Sequence, residues 1–178
     1  KEVTVEEEGI NFSINYLLDK EIGKIDPEKL GINDRGNEFS FAIMADPQGG
    51  DPAFHNRMGT RMKIHNAWVE ESVRIVNEMD PLPRFTLMLG DIVDGQGPEE
   101  YFRQMEAYFK SLKTPILYEI GNHESKYSAK FEPGYNHDSL KNYYESQHRV
   151  NGTDKLLYSF DLGKWHFIVW PDPLRSSF

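Results

Sequence analysis

The sequence predicts an α/β fold in which neighbouring parallel strands end in oxygen-bearing side chains. Two observations predict it. From residue 39 onward, strand-like apolar runs alternate with helix-length amphipathic segments. That alternation is the pattern of β-α-β units with right-handed crossovers. In addition, the runs Phe41-Ala42-Ile43-Met44, Phe85-Thr86-Leu87-Met88 and Ile116-Leu117-Tyr118 each lead into a polar cluster. The clusters are Asp46-Pro47-Gln48, then Gly90-Asp91-Ile92-Val93-Asp94, then Gly121-Asn122-His123-Glu124. In open α/β sheets, ligands bind at the carboxyl ends of the strands, where these clusters fall.

The elements follow in order. Residues 1–38 differ from the rest and read as an extension, a linker or the last strand of a preceding domain, ending in the turn-like Asn33-Asp34-Arg35-Gly36-Asn37. The first strand ends at Ala45, and a Gly/Pro loop runs to about Phe54. Ile64, Trp68, Ser72, Ile75 and Met79 then recur at helical spacing, flanked by Val69, Val73 and Val76. That stripe predicts a helix with Trp68 packed in the core. Asp80-Pro81-Leu82-Pro83 breaks the helix before the second strand. Gly97-Pro98 followed by Glu99 and Glu100 is a favourable helix start, because acidic side chains suit the first turn. Tyr101, Phe102, Met105, Tyr108, Phe109 and Leu112 form its predicted buried face, and Pro115 leads into the third strand.

Past Glu124 lies a polar, aromatic loop from Tyr127 to His137, a candidate lip for substrate. A short helix is expected over Ser139–Tyr144. Leu156–Asp161 and Trp165–Trp170 read as a hairpin around Gly163.

Composition narrows the function classes. A net charge of −9 argues against general nucleic-acid or anionic-membrane binding. An acidic chain can still take phosphate when bound cations supply the positive charge. The absence of cysteine excludes disulfides, thiolate nucleophiles and zinc–thiolate sites. No apolar run reaches the roughly 20 residues of a membrane span. The compartment stays open between cytoplasmic and extracytoplasmic for a soluble chain. The start at Lys1 without Met is expected to reflect processing or trimming.

Taken singly, Asp46 is a strand-end Asp before proline, Asp91 a turn residue, and Asn122-His123 a surface turn. Together, at three strand ends, they are a set of hard donors suited to a metal-dependent phosphoester hydrolase. Two-metal hydrolysis needs several donors converging on ions roughly 3.5–4 Å apart. Asp91, ending the central strand, is the candidate shared carboxylate. Asp46 and Gln48, two residues apart in extended chain, can point the same way toward a first ion. Asn122 offers an amide oxygen to a second ion. His123 is suited to protonate a leaving oxygen, and Asp94 to accept its ring N–H and favour the charged form. Gly90, Gly95 and Gly121 allow sharp backbone turns beside the ions.

These residues resemble the calcineurin-like metallophosphoesterase superfamily. Its pattern of D-x-H or D-x-Q, then G-D-x-x-D, then G-N-H-[DE] is met by Asp46-Pro47-Gln48, Gly90-Asp91-Ile92-Val93-Asp94 and Gly121-Asn122-His123-Glu124. The resemblance covers about residues 39–178. It implies an α/β sandwich of mixed sheets flanked by helices, with two divalent metal ions drawn from manganese, iron, zinc or magnesium. It also implies hydrolysis by metal-bound hydroxide, on a phosphorylated small molecule or a phosphoprotein. Carried over by position, Asp46 and Gln48 bind the first metal, Asp91 bridges, Asn122 binds the second, and His123 is catalytic with Asp94 behind it.

Gln48 stands where many members have His. An amide oxygen is a harder ligand than imidazole and tilts the first site toward manganese or magnesium. Asp94 stands where purple acid phosphatases have Tyr, which turns the reading away from that branch. The family's further downstream histidines have no counterpart among His55, His65, His123, His137, His148 and His166. His65 and His166 read as structural or surface residues, while His55 and His137 could overhang the site. The expectation is therefore the N-terminal part of a larger protein, a sandwich incomplete at its C-terminus with an uncovered edge or face. The missing C-terminal part would complete the site. A non-catalytic scaffold or metal-binding module of the same fold is the alternative.

Overall fold

The computed structural model describes residues 22–33, 38–50, 59–94, 97–125, 137–153 and 155–171. Gly95, His55 and the loop from Tyr127 to Asn136 lie outside them. Strand β1 (Gly23–Lys24) and a 3-10 turn over Pro27–Leu30 precede β2 (Ala42–Ala45). There follow α1 (Gly59–Glu78), β3 (Thr86–Leu89), α2 (Glu99–Phe109), β4 (Ile116–Glu119) and the short α3 (Asn122–Ser125). The chain continues through α4 (His137–Asn151), β5 (Tyr158–Leu162) and β6 (Trp165–Val169). The helix expected over Ser139–Tyr144 is thus much longer, and the hairpin around Gly163 forms as expected.

Two three-stranded sheets face each other. One is wholly parallel, in the order β2-β3-β4; the other, β1-β5-β6, is mixed, with β1 parallel and β6 antiparallel to β5. In the parallel sheet Ala45, Leu89 and Glu119 are paired in one row. All three strands therefore finish level, and their polar clusters leave from the same end.

Side chains alternate across the pleat. Met88, Ile116 and Tyr118 meet the helices, together with Val69, Val73, Met105, Phe109 and Tyr143. Phe85 and Leu117 face the second sheet and are buried with Phe160, Leu162 and Ile32. Phe41 joins the two sheets, stacking on Phe85 at 5.1 Å and meeting the edge of Phe167 at 5.7 Å.

The structure corrects the face assigned to α1. Met62, Asn66, Val69, Val73 and Val76 are buried, whereas Ile64, Trp68, Ile75 and Met79 are exposed, Trp68 at 63%. The helix carries two apolar stripes, and α2 and the parallel sheet take the one with the smaller side chains. Trp68 and Ile75 of the other stripe line a groove with Ile43, Met44 and Pro47 beside β2. On that side β2 has no partner strand among the described residues. No described helix is long and apolar enough to cross a membrane.

Candidate metal centre

Beyond β2 and β3 the two loops continue to pair through their backbones. Asp46 N–H donates to Gly90 O at 3.3 Å, Gln48 N–H to Asp91 O at 2.8 Å and Gly49 N–H to Ile92 O at 3.1 Å; Asp94 N–H returns to Gly49 O at 3.0 Å. The loop after β4 closes from the other side. Gly90 adopts φ +65°, and a Cβ there would stand 2.6 Å from Gly121 Cα, so only glycine permits this approach. Asn66 of α1 clasps Gly50, accepting its N–H at 3.2 Å and donating to its carbonyl at 2.7 Å.

Asp46, Gln48 and Asp91 have φ values of 53°, 44° and 48°. Among the described residues these are the non-glycine positions with positive φ. Each costs of order 1 kcal/mol or more, and such strain persists where surrounding contacts enforce it, commonly at functional sites.

Asp91 is buried at the middle of the cluster. Its Oδ1 accepts His123 N–H at 2.9 Å, and its Oδ2 accepts Gln48 Nε2 at 3.4 Å. The His123 ring lies between two carboxylates: Nδ1 is 3.4 Å from Asp94 Oδ1, and Nε2 is 3.8 Å from Asp91 Oδ2. The hydrogen bond to Asp94 holds His123 above the usual imidazole range, against burial that opposes its charge; Asp91 adds to the rise. His123 in turn holds the Asp94 carboxyl below its usual range, and Arg61 and His65 add to the lowering.

In the metal-free protein the signs are opposite for the two partners. His123 is raised, so its contribution to stability is full below about pH 6.5 and is lost as pH rises through its own value. Asp94 is lowered, so its contribution is present above about pH 4 and is lost as pH falls through its own value. Asp94→Asn is expected to bring the His123 titration down toward about 6.5, read from ring resonances by NMR. An unmoved midpoint would show that Asp94 does not set it.

Sequence reasoning missed three participants. Glu124 is fully buried at 0% exposure, and its carboxylate ties the loops together. It accepts N–H groups from Asp91 at 3.0 Å, Val93 at 3.1 Å and Gly121 at 2.8 Å. Arg61 Nη2 donates to Gln48 Oε1 at 3.0 Å, and His65 Nδ1 lies 3.0 Å from the Gln48 carbonyl. The i, i+4 spacing of Arg61 and His65 at the start of the helix after the Asp46 loop was the available signal.

The structure brings Gln48, Asp91, Asp94 and His123 into contact. Asp46 and Asn122 are exposed beside them. Among the described residues, no three His, Asp or Glu side chains form a group that could hold an ion. Gln48 and Asn122 add amide oxygens beside Asp46 and Asp91, and oxygen donors are the kind that suit a hard divalent cation. His166 pairs with Asp161 and His148 lies in the last turn of α4.

Level strand ends, strained acidic loops and a carboxylate-flanked imidazole define an α/β protein with a polar centre suited to cations and phosphate. Residues 39–170 match the calcineurin-like phosphoesterases, and the chain belongs to that family. It is similar to the manganese-dependent ADP-ribose/CDP-alcohol diphosphatases of Bos taurus and Homo sapiens. The identities are 26% and 27% over 142 residues, covering 75% of this chain and 41% of each relative. The chain thus spans less than half the length of these relatives.

Proposed function

We propose that this chain forms the metal-binding half of a hydrolase that cleaves phosphoester or phosphoanhydride bonds at a dinuclear centre. The observation that carries the reading is the left-handed backbone at Asp46, Gln48 and Asp91, three of the four predicted donors. Asp46 and Gln48 would hold one ion, Asp91 would be shared, and Asn122 would hold the second. When bound, the ions would acidify an attacking water and offset charge on the phosphoryl oxygens. The oxygen-only donors and the manganese dependence named for the relatives both favour manganese.

The chain's own residues supply proton transfer and alignment. Asp94 faces Nδ1 of His123, which favours the charged imidazolium and would leave Nε2–H to protonate the departing oxygen. Glu124 fixes the height of Asp91 through its backbone N–H. The relatives' named substrates favour a phosphorylated small molecule over a phosphoprotein. A further segment of the full-length protein would cover the open side of β2 and complete the donor set.

The test is manganese-dependent hydrolysis of bis(p-nitrophenyl) phosphate by the full-length protein, with metal content measured in parallel. Turnover is expected there, and weak or no turnover from residues 1–178 alone. A full-length protein that binds manganese without turnover would make the scaffold alternative correct. Two tightly held ions on residues 1–178 would refute the need for a further segment.

A further inference from the structure

We propose that Arg61 binds the second phosphoryl group of a diphosphate substrate, which makes it the residue that selects diphosphates over single phosphates. The proposal rests on the hydrolase reading above and adds the residue that would recognise the diphosphate class named for the relatives.

Arg74, Arg103 and Arg149 each pair with glutamates: Arg74 with Glu71 and Glu78, Arg103 with Glu99, and Arg149 with Glu106. Arg61 has no carboxylate within ion-pair distance among the described residues. Its partners are the neutral Gln48 amide at 3.0 Å and the His65 ring at 3.5 Å. His65 is itself held by the Gln48 carbonyl, so the guanidinium is kept at the edge of the centre. Its charge also helps to hold the Asp94 carboxyl below the usual range.

The Gln48 amide explains how the guanidinium becomes available. Here Nε2 faces Asp91 Oδ2 and Oε1 faces Arg61. To offer its oxygen to a cation on Asp91, the amide must turn over, which brings its NH2 toward Arg61. Two donors cannot satisfy each other, so cation binding releases the guanidinium. Its planar fork suits two phosphate oxygens. Charge favours the same outcome. Asp46, Asp91 and Asp94 oppose the ions at the centre, and those ions engage the reacting phosphoryl group. A second anionic phosphoryl group would need its own cation, and among the described residues Arg61 is a cation held against Gln48.

The experiment compares wild type, Arg61→Ala and Arg61→Lys in the manganese-loaded full-length protein. ADP-ribose serves as the diphosphate and bis(p-nitrophenyl) phosphate as the single phosphate, and calorimetry measures pyrophosphate and inorganic phosphate binding. Arg61→Ala is expected to lose about 10- to 100-fold more kcat/KM on ADP-ribose than on the single phosphate, mostly through KM. Pyrophosphate affinity should fall by a similar factor relative to phosphate, and Lys should restore part of it. Equal losses on both substrates would mean that Arg61 only props Gln48, and would overturn the proposal. So would unchanged pyrophosphate affinity. If wild type hydrolyses neither substrate, the hydrolase reading fails, and the pyrophosphate-to-phosphate ratio still decides the role of Arg61.

Discussion

His123→Ala in the full-length protein is expected to lower kcat about 100- to 10,000-fold, the range for losing a positioned general acid, while bound manganese stays unchanged. The separation follows from the contacts. The His123 ring lies against Asp94 and Asp91, but the proposed donors to the ions are Asp46, Gln48, Asp91 and Asn122. The backbone N–H of residue 123, which holds Asp91 Oδ1 at 2.9 Å, survives the substitution. Loss should be smaller for substrates with good leaving groups, since p-nitrophenolate needs little protonation. An unaltered rate on a poor leaving group would remove His123 from the chemistry. Loss of metal along with activity would instead make it a ligand.

Glu124→Ala is expected to be the most destabilising change in the cluster. It leaves the N–H groups of Asp91, Val93 and Gly121 without their acceptor in a buried site. At about 1–3 kcal/mol for each unsatisfied buried group, with partial relaxation, the loss should be about 3 kcal/mol or more. For a chain of this size that is a fall in Tm of about 6–12 °C. Manganese affinity should fall as well, because Asp91 loses the anchor that sets its height.

Glu124→Gln separates shape from charge. Burial pushes the Glu124 carboxyl up to about 7. With the folded value above the unfolded one, its stabilising effect is full below about pH 4.5 and is lost as pH rises toward 7. The Gln variant of the metal-free protein should therefore lose that slope in stability between about pH 4.5 and 7. A slope equal to that of wild type would assign the pH dependence to another group.

Much of the centre was legible because it rests on local chain chemistry. The apolar runs before Asp46, Asp91 and Asn122 form strands and their crossovers make those strands parallel, while the register that pairs Ala45, Leu89 and Glu119 makes them end level. The contact of His123 with Asp94 follows from two loops leaving adjacent strands. The role of Glu124 was not legible, since a carboxylate in a G-N-H-E run looks the same whether it faces solvent or three backbone N–H groups. Arg61 and His65 belong to a helix that the sequence assigns to packing, and only the turn of α1 against the Asp46 loop brings them to Gln48.

The α1 helix marks the boundary between the two kinds of information. Its sequence determined a helix of apolar periodicity, with valines flanking the Ile64-to-Met79 stripe, because side-chain spacing sets periodicity. Which stripe is buried was decided only in the folded chain. Hydrophobic burial has no direction of its own, so the outcome depended on where α2 and the parallel sheet stand. They take Val69, Val73 and Val76 and leave Trp68 on the open side of β2. The same holds for the polar cluster: the residues and their order are written in the chain, while the left-handed turns at Asp46, Gln48 and Asp91 depend on the neighbouring loops that pair with them.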